Sequence, residues 1–170
     1  MKILLTAGLF IVPFMLMGQK KSNEWHLDGT GYLAKDSKKG IGLGIKYLKA
    51  LGEDNFITAG LSFNLFQLKS NDGLNPAKKT FPLLLGYRQN LKKLYLEPQL
   101  GIGTYGGRFY TPEFALPSQF AIFAGAESGY NLNRFSFHLK CYTAFTQTNI
   151  YLEKTFLYGG AGIAYKIVVK

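Results

Sequence analysis

The sequence predicts an all-β protein, a closed antiparallel up-and-down transmembrane β-barrel of about eight strands. Three observations support this fold. The first is a two-residue hydrophobic period that runs from Trp25 toward the C-terminal end. The second is an alternation of tight turns with longer polar connections. The third is the position of the aromatic side chains, which lie at the ends of the predicted strands.

The first 18 residues have the layout of a secretory signal peptide. Lys2 provides a short positive region before an almost unbroken apolar stretch over residues 3–17, and the small residue Gly18 follows. The stretch is shorter than the ~20 residues that a membrane-spanning helix needs. We therefore expect a signal peptide over residues 1–18 and a single barrel domain over residues 19–170.

About eight segments show the two-residue period, each near the ~10 residues that a tilted membrane strand needs. One face of each segment is apolar, and the other carries polar residues or glycine. Each segment therefore predicts a strand with one apolar face. In chain order the apolar faces comprise Trp25, Leu27, Leu33; Ile41, Leu43, Ile45, Tyr47; Ile57, Ala59, Leu61, Phe63, Leu65; Phe81, Leu83, Leu85, Tyr87; Leu94, Leu96, Leu100, Ile102; Phe120, Ile122, Ala124, Ala126, Tyr130; Phe135, Phe137, Leu139, Cys141, Phe145; and Leu157, Ala161, Ile163, Tyr165, Ile167.

The connections between the predicted strands alternate in length. Tight turns follow the second, fourth and sixth strands, at residues 51–54, 90–93 and 131–134. Longer polar stretches follow the third, fifth and seventh strands, whereas the first connection on that side is short. Short periplasmic turns and longer outside loops are expected when both ends of the chain face the periplasm.

Aromatic placement separates a membrane barrel from a soluble lipocalin-like barrel, whose apolar side chains point inward. Aliphatic side chains occupy the middle of the apolar faces. The ends near the tight turns carry an aromatic girdle of Trp25, Tyr47, Tyr87, Tyr130, Phe135 and Tyr165. The opposite ends carry Phe81, Phe120 and Phe145. Because amphipathic rings favour the headgroup level of a bilayer, the pattern predicts contact with outer-membrane lipids.

Four short segments carry a family resemblance. They are Gly18-Gln19, the run FPLLLGYR at 81–88, the run YLEPQLG at 95–101 and the run GGAGIAYK at 159–166. In these segments the chain resembles the small outer-membrane β-barrel proteins common in Bacteroidetes. These are similar in size to OmpA-type and OmpX-type barrels and to porin-family β-barrel domains. The resemblance implies an outer-membrane location and an architecture, not an activity.

The polar face of the predicted barrel holds charged side chains of both signs. Charges in a low-dielectric lumen are tolerable only when they are paired and hydrogen-bonded. We therefore expect a polar network that fills the lumen and closes it to ions. Its members are Asp28, Lys46, Arg88, Glu97, Glu127, His138 and Lys140.

The predicted turns also suggest which of these side chains meet. A hairpin folded about Leu132-Asn133 places Glu127 directly opposite His138. In the same way, a hairpin folded about Leu91-Lys92 leaves the side chain at position 88 diagonal to the one at position 97. Both hairpins would bring opposite charges or hydrogen-bonding partners together inside the barrel.

A catalytic alternative rests on Ser136, His138 and Glu127, which have the residue types of a nucleophile, a base and an orienting acid. A lipid hydrolase or acyltransferase is a credible class for a small outer-membrane barrel. However, Ser136 and His138 lie near the predicted periplasmic rim, whereas such sites usually need access to the outer leaflet. The spacing of His26 and His138 does not suit a metal. We expect no catalytic site, no metal and no cofactor.

Two further motifs have structural explanations. Residues 101–106 match GxGxxG, but a dinucleotide site needs a helix that begins at the motif, and the residues that follow do not start one. Glycines on the inward face of a narrow barrel instead leave room for larger side chains across the lumen. Cys141, the one cysteine, fits a small buried hydrophobic residue within a strand.

The net charge and the composition of the loops limit the kinds of partner that this protein is expected to bind. The net charge is +10, but the basic residues are scattered, so we expect no nucleic-acid partner. A basic balance suits anionic lipid headgroups. In the predicted long loop after the fifth strand, Arg108, Phe109 and Tyr110 are candidate contacts for a protein partner. Packing of this loop over the barrel mouth is an equal alternative.

These features predict a monomeric, non-catalytic barrel with a filled polar lumen and a structural or surface-interaction role. An outer-membrane lipid-modifying enzyme is one alternative. An accessory barrel of an envelope secretion or conjugative transfer machine is the other. A non-specific pore is disfavoured, because about eight strands enclose an interior just wide enough for side chains.

Overall fold

The computed structural model describes residues 22–34, 39–67, 77–106, 118–146 and 154–169. Eight antiparallel strands form one closed barrel, in which each strand pairs with its neighbours in sequence and β8 pairs with β1. The predicted all-β, up-and-down barrel is confirmed. The predicted signal peptide and the loop residues Arg108, Phe109 and Tyr110 lie outside the described residues.

The strands are 12 to 15 residues long, somewhat longer than the ~10 residues expected for each strand from the sequence. Tight turns join β2 to β3, β4 to β5 and β6 to β7, as expected. In the described part of the chain, no helix is long and apolar enough to cross a membrane. The strands are β1 (Asn23–Ala34), β2 (Lys39–Ala50), β3 (Asn55–Gln67), β4 (Ala77–Leu91), β5 (Leu94–Gly106), β6 (Gln119–Leu132), β7 (Phe135–Thr146) and β8 (Thr155–Val169).

The two faces of the barrel wall have opposite chemistry. Outward-facing aliphatic side chains are exposed, with Leu43 at 72 % and Leu139 at 63 %, whereas inward-facing Glu97 is fully buried. This is the reverse of a soluble barrel, whose apolar side chains fill the interior. Cys141 lies on the exposed outer face, so its assignment as a buried residue is wrong. The strand period places it outside, between the inward-facing Lys140 and Tyr142.

Two prolines shape the strand pairing. Pro98 pairs with Ala126 of β6, but the pairing of β5 with β4 stops at Gln99 and resumes at Leu96. Pro82 interrupts the pairing of β4 with β3 in the same way, while its pairing with β5 is kept. Because proline has no backbone N–H, it can complete a ladder on one side only.

The GxGxxG segment lies entirely within β5, so no helix begins there. A Cβ atom at Gly101 would lie 2.9 Å from both the carbonyl carbon of Leu83 and the Cα of Leu84. Glycine therefore permits a close approach of the β4 and β5 backbones. At Gly42, by contrast, a Cβ would lie 2.6 Å from Cε2 of Tyr32, which agrees with the expected space for a large inward side chain.

We predict that Gly101→Val destabilises the folded barrel. The new side chain would clash with backbone atoms that cannot rotate away, and overpacking of this kind costs about 1–3 kcal/mol. Gly31→Val is the matched control, because the nearest atom to its Cβ is an oxygen of Ala161 at 3.9 Å. Urea unfolding of the refolded variants, followed by circular dichroism, measures both. Equal unfolding midpoints would contradict the prediction.

Candidate functional site

The inward-facing side chains fill the barrel in two layers. The layer nearer the tight turns is charged. The layer nearer the loops is an aromatic cluster, so the polar filling expected from the sequence occupies only the turn-side half of the lumen. The rings of the loop-side layer are Tyr32, Phe66, Tyr105, Phe123, Tyr142, Phe156 and Tyr158.

Glu127 on β6 is the centre of the charged layer. Its Oε2 lies 2.6 Å from Nζ of Lys46 and 3.8 Å from Nζ of Lys140. Its Oε1 lies 3.1 Å from Nη2 of Arg88 and accepts a 2.7 Å hydrogen bond from the hydroxyl of Tyr95. One buried carboxylate therefore contacts three cations and a phenol.

Glu97 on β5 shares two of these cations. Its Oε2 accepts a 2.6 Å bond from Nε of Arg88, and its Oε1 lies 3.0 Å from Nζ of Lys46. The same Oε1 accepts hydrogen bonds from Thr58 and from the amide of Gln99. Lys46 and Arg88 thus each bridge both glutamates, which satisfies the remaining lone pairs that burial would otherwise leave unpaired.

Asp28 on β1 completes the layer. Its Oδ1 accepts a 2.6 Å bond from Nζ of Lys140 and a 3.2 Å bond from the hydroxyl of Thr30. The ion pairs made by Asp28, Glu97 and Glu127 therefore contain three cations and three anions. All six side chains come from different strands: Asp28, Lys46, Arg88, Glu97, Glu127 and Lys140.

The expected position of Glu127 opposite His138 is wrong. Glu127 pairs across the ladder with Lys140, and His138 pairs with Gly129. The turn is centred on residues 133–134, one residue later than predicted, because Asn133 adopts a left-handed backbone with φ of 51°. Shifting the centre of a hairpin by one residue moves every cross-strand partner by two.

The β4–β5 hairpin is shifted in the same sense. Lys92 has a left-handed φ of 60°, and Leu91 pairs with Leu94 across the turn. Arg88 and Glu97 consequently occupy facing rather than diagonal positions, at the gap in the ladder beside Pro98. The side-chain ion pair therefore joins the two strands where the proline interrupts their backbone pairing.

Ser136, His138 and Glu127 do not form a hydrogen-bonded triad. Nε2 of His138 lies 2.9 Å from the hydroxyl of Thr30 on β1. Ser136 is fully buried, and its hydroxyl finds no hydrogen-bond partner among the described residues. In the same part of the chain, no group of three His, Cys, Asp or Glu side chains is arranged to hold a metal ion.

The aromatic girdle lies on the outer face of the wall at the turn-side end. The rings of Trp25 and Tyr47 are 5.0 Å apart, and those of Phe135 and Tyr165 are 5.4 Å apart. Tyr130 is also exposed, whereas Tyr87 is half-buried. The second set of rings, Phe81, Phe120 and Phe145, is exposed at the loop-side ends of β4, β6 and β7.

The aromatic cluster of the loop-side layer was not among the predicted site residues. Phe66 stacks edge-on against Phe156 at 5.1 Å, and Tyr32 packs against Tyr158 at 5.4 Å. Nζ of Lys78 lies 5.0 Å from the ring of Phe156. The signal in the sequence is that aromatic residues also occur at inward-facing positions of the loop-side strand ends.

No family model and no curated protein matches the sequence. Solved structures do match. A major outer membrane protein from Thermus thermophilus is 12 % identical with a TM-score of 0.65, covering 86 % of this chain and 100 % of that one. Ail, the attachment invasion locus protein of Yersinia pestis, solved with the heparin analogue sucrose octasulfate, is 13 % identical with a TM-score of 0.59. That alignment covers 87 % of this chain and 100 % of Ail.

A third solved structure, that of the outer membrane enzyme PagL, has 12 % identity and a TM-score of 0.54 and covers 85 % of this chain and 99 % of PagL. At these identities the likeness shows a common fold alone. The three matched proteins share one barrel architecture but are described in different terms, so the fold alone does not indicate which activity a barrel has.

We predict that Glu127→Gln strongly destabilises the barrel. The substitution leaves Lys46, Arg88 and Lys140 buried with one carboxylate fewer, and breaking a buried ion pair in this way costs about 3–5 kcal/mol. The double variant Glu127→Gln/Lys46→Met, which removes one cation as well, should recover part of the loss. The free energy of unfolding in urea is the measurement.

The matched control is Glu53→Gln, which makes the same chemical change at an exposed position of the β2–β3 turn. We expect only a small change there, because exposed charges are screened by solvent. Equal losses in the free energy of unfolding for the two single variants, or no recovery of that free energy in the double variant, would show that the buried network does not stabilise the fold.

Proposed function

We propose that this chain is an outer-membrane β-barrel of the small Bacteroidetes type, monomeric and non-catalytic, whose closed interior anchors the loops at the cell surface. The observation that carries this proposal is the chemistry of the wall. Large aliphatic side chains cover the outside of the described strands, and ion pairs and aromatic rings occupy the inside. A soluble protein rarely exposes so large an apolar surface, whereas a lipid-facing barrel wall requires it.

The orientation follows from the connections. The short turns after β2, β4 and β6 would face the periplasm, and the connections at the other end would face outward. Residues 1–18 would direct export and be removed. The exposed aromatic rings at both ends of the wall would then lie at the two headgroup levels, in contact with outer-membrane lipids.

A structural or surface-interaction role suits the closed interior. Charged side chains cross-link the turn-side half of the lumen, and aromatic rings occupy the loop-side half. In this proposal the two layers together block the passage of ions and substrates through the barrel. Specific contacts with a partner would then be made by the loops, with Arg108, Phe109 and Tyr110 as candidates. Association with a secretion or transfer machine would use the same loops and would appear as co-purification in mild detergent.

We predict that Cys141 is shielded by lipid in the folded protein. It lies on the outer face of β7 within the apolar band, where surrounding lipid keeps a charged thiol reagent away from the sulfur. In lipid vesicles, a charged maleimide should label Cys141 at least about tenfold more slowly than a thiol in water reacts. Labelling rates followed by mass spectrometry provide the test.

The control variant moves the cysteine to water, as Cys141→Ser combined with Glu53→Cys in the exposed β2–β3 turn. The turn cysteine should react rapidly in vesicles, and both proteins should react equally fast in urea. Rapid labelling of Cys141 in the folded, vesicle-bound protein would contradict the proposed lipid contact.

We also predict that the purified protein forms no steady channel in planar bilayers. An eight-stranded barrel has an interior just wide enough for side chains, and here those side chains are paired across it. Single-channel recording, with a known open porin prepared in the same detergent as the positive control, measures this. Reproducible conductance steps would contradict the proposed anchoring role and would indicate that the barrel is a pore.

A further inference from the structure

A groove of about 600 Å³ indents the outer wall on the turn side of β5 to β8 and reaches Leu91, the last residue of β4. Its lining is almost entirely apolar. Because it lies on the outward face, it opens toward the surroundings of the barrel and not into the charged lumen. The outward side chains that line it include Leu91, Leu94, Leu96, Tyr130, Phe137 and Leu139.

Small residues on two strands produce this groove. On β6, Ser128 pairs across the ladder with Leu139 of β7, which pairs in turn with Ala161 of β8. The outward side chains of Ser128 and Ala161 are small, so the larger aliphatic side chains around them form the rim of a slot.

Basic side chains stand at the turn-side end of the groove. Lys92 and Lys93 form the β4–β5 turn directly between the lining residues Leu91 and Leu94. Nζ of Lys93 lies 6.0 Å from the ring of Tyr130, another lining residue. The groove thus ends near the ammonium group of Lys93, with Lys92 in the same turn, at the level of the aromatic girdle.

Arg134 extends this basic rim along the next turn. Its Nη1 lies 3.4 Å from the hydroxyl of Tyr165 on β8. The backbone holds both turns in place, because the amide of Asn131 donates to the carbonyl of Lys93 and the amide of Lys166 donates to the carbonyl of Arg134, each at 2.7 Å. The β2–β3 turn, at residues 51–54, is instead acidic and contains no lysine or arginine.

We propose that this groove and its basic rim bind one anionic phospholipid of the turn-side leaflet. An acyl chain lies in the aliphatic slot, and the phosphate contacts Lys92, Lys93 and Arg134. Guanidinium and ammonium groups are the side chains that recognise phosphate, and each contributes attraction at an anionic lipid surface. The inference rests on the proposed membrane location, because it assigns one lipid class to one place on that lipid-facing wall.

Quenching of a single tryptophan by brominated lipid tests the site. The reporter is Phe137→Trp, which places the ring in the groove, combined with Trp25→Phe, which removes the one native tryptophan. The protein is reconstituted in mixed vesicles of phosphatidylglycerol and phosphatidylcholine, with either lipid brominated in turn. We expect phosphatidylglycerol to be preferred at the reporter by about fivefold or more, the effect of roughly one basic side chain.

The charge variant is Lys92→Gln/Lys93→Gln/Arg134→Gln in the reporter background. These side chains are exposed, so folding should be kept, and the preference should fall to about one. Lys49→Gln is the matched control, because Lys49 is exposed at the turn-side end of β2, away from the groove, and its loss should leave the preference unchanged. The double substitution Ser128→Leu/Ala161→Leu fills the slot and should also abolish the preference for phosphatidylglycerol.

The outcomes separate this proposal from the one on which it rests. Quenching of the reporter by neither brominated lipid would overturn the membrane location itself. Equal quenching by both lipids would overturn the phospholipid site and leave the membrane location intact. A preference that persists in the triple charge variant would also overturn the assignment of the phosphate contacts to the two turns.

Discussion

The barrel depends on the pairing of charges that its own closure buries. Lys46 and Arg88 each contact both Glu97 and Glu127, and these four side chains come from β2, β4, β5 and β6. A buried ion without its partner carries a penalty of several kcal/mol. Arg88, Glu97 and Glu127 lie on the adjacent strands β4, β5 and β6, whereas Lys46 on β2 reaches both glutamates only when the sheet curves into a ring. The ion pairs thus favour the closed barrel over an open sheet.

Much of the fold could be predicted from the sequence, and the cross-strand partners could not. The two-residue period identifies the strands and their faces, since a slip of one residue would exchange them. The period cannot detect a slip of two residues, because every side chain then keeps its face. The turns at Lys92-Lys93 and Asn133-Arg134 lack the glycine that marks most two-residue hairpins. Glu127 was therefore assigned the wrong partner while its inward orientation was correct.

The loop-side aromatic layer and the outer groove required three-dimensional information. Rings such as Phe66 and Tyr158 meet across the lumen because of the stagger between neighbouring strands, which no local pattern reports. The groove arises in the same way, because only the register places the small residues Ser128 and Ala161 on either side of Leu139. Together these features describe a wall whose inner face carries ion pairs and aromatic rings and whose outer face carries an apolar groove, within the residues that the structure describes. Lipid contact and loop presentation are the roles that such a wall supports.

Envelope fractionation followed by a denaturing gel, with boiled and unboiled samples, tests the central claim most directly. A closed barrel in lipid should be found in the outer-membrane fraction and should migrate differently before and after boiling, because detergent does not open the paired ring until it is heated. Protein recovered from the soluble periplasm, with the same mobility in both samples, would contradict the account. The apolar outer face of the barrel would then have to be buried against something other than lipid.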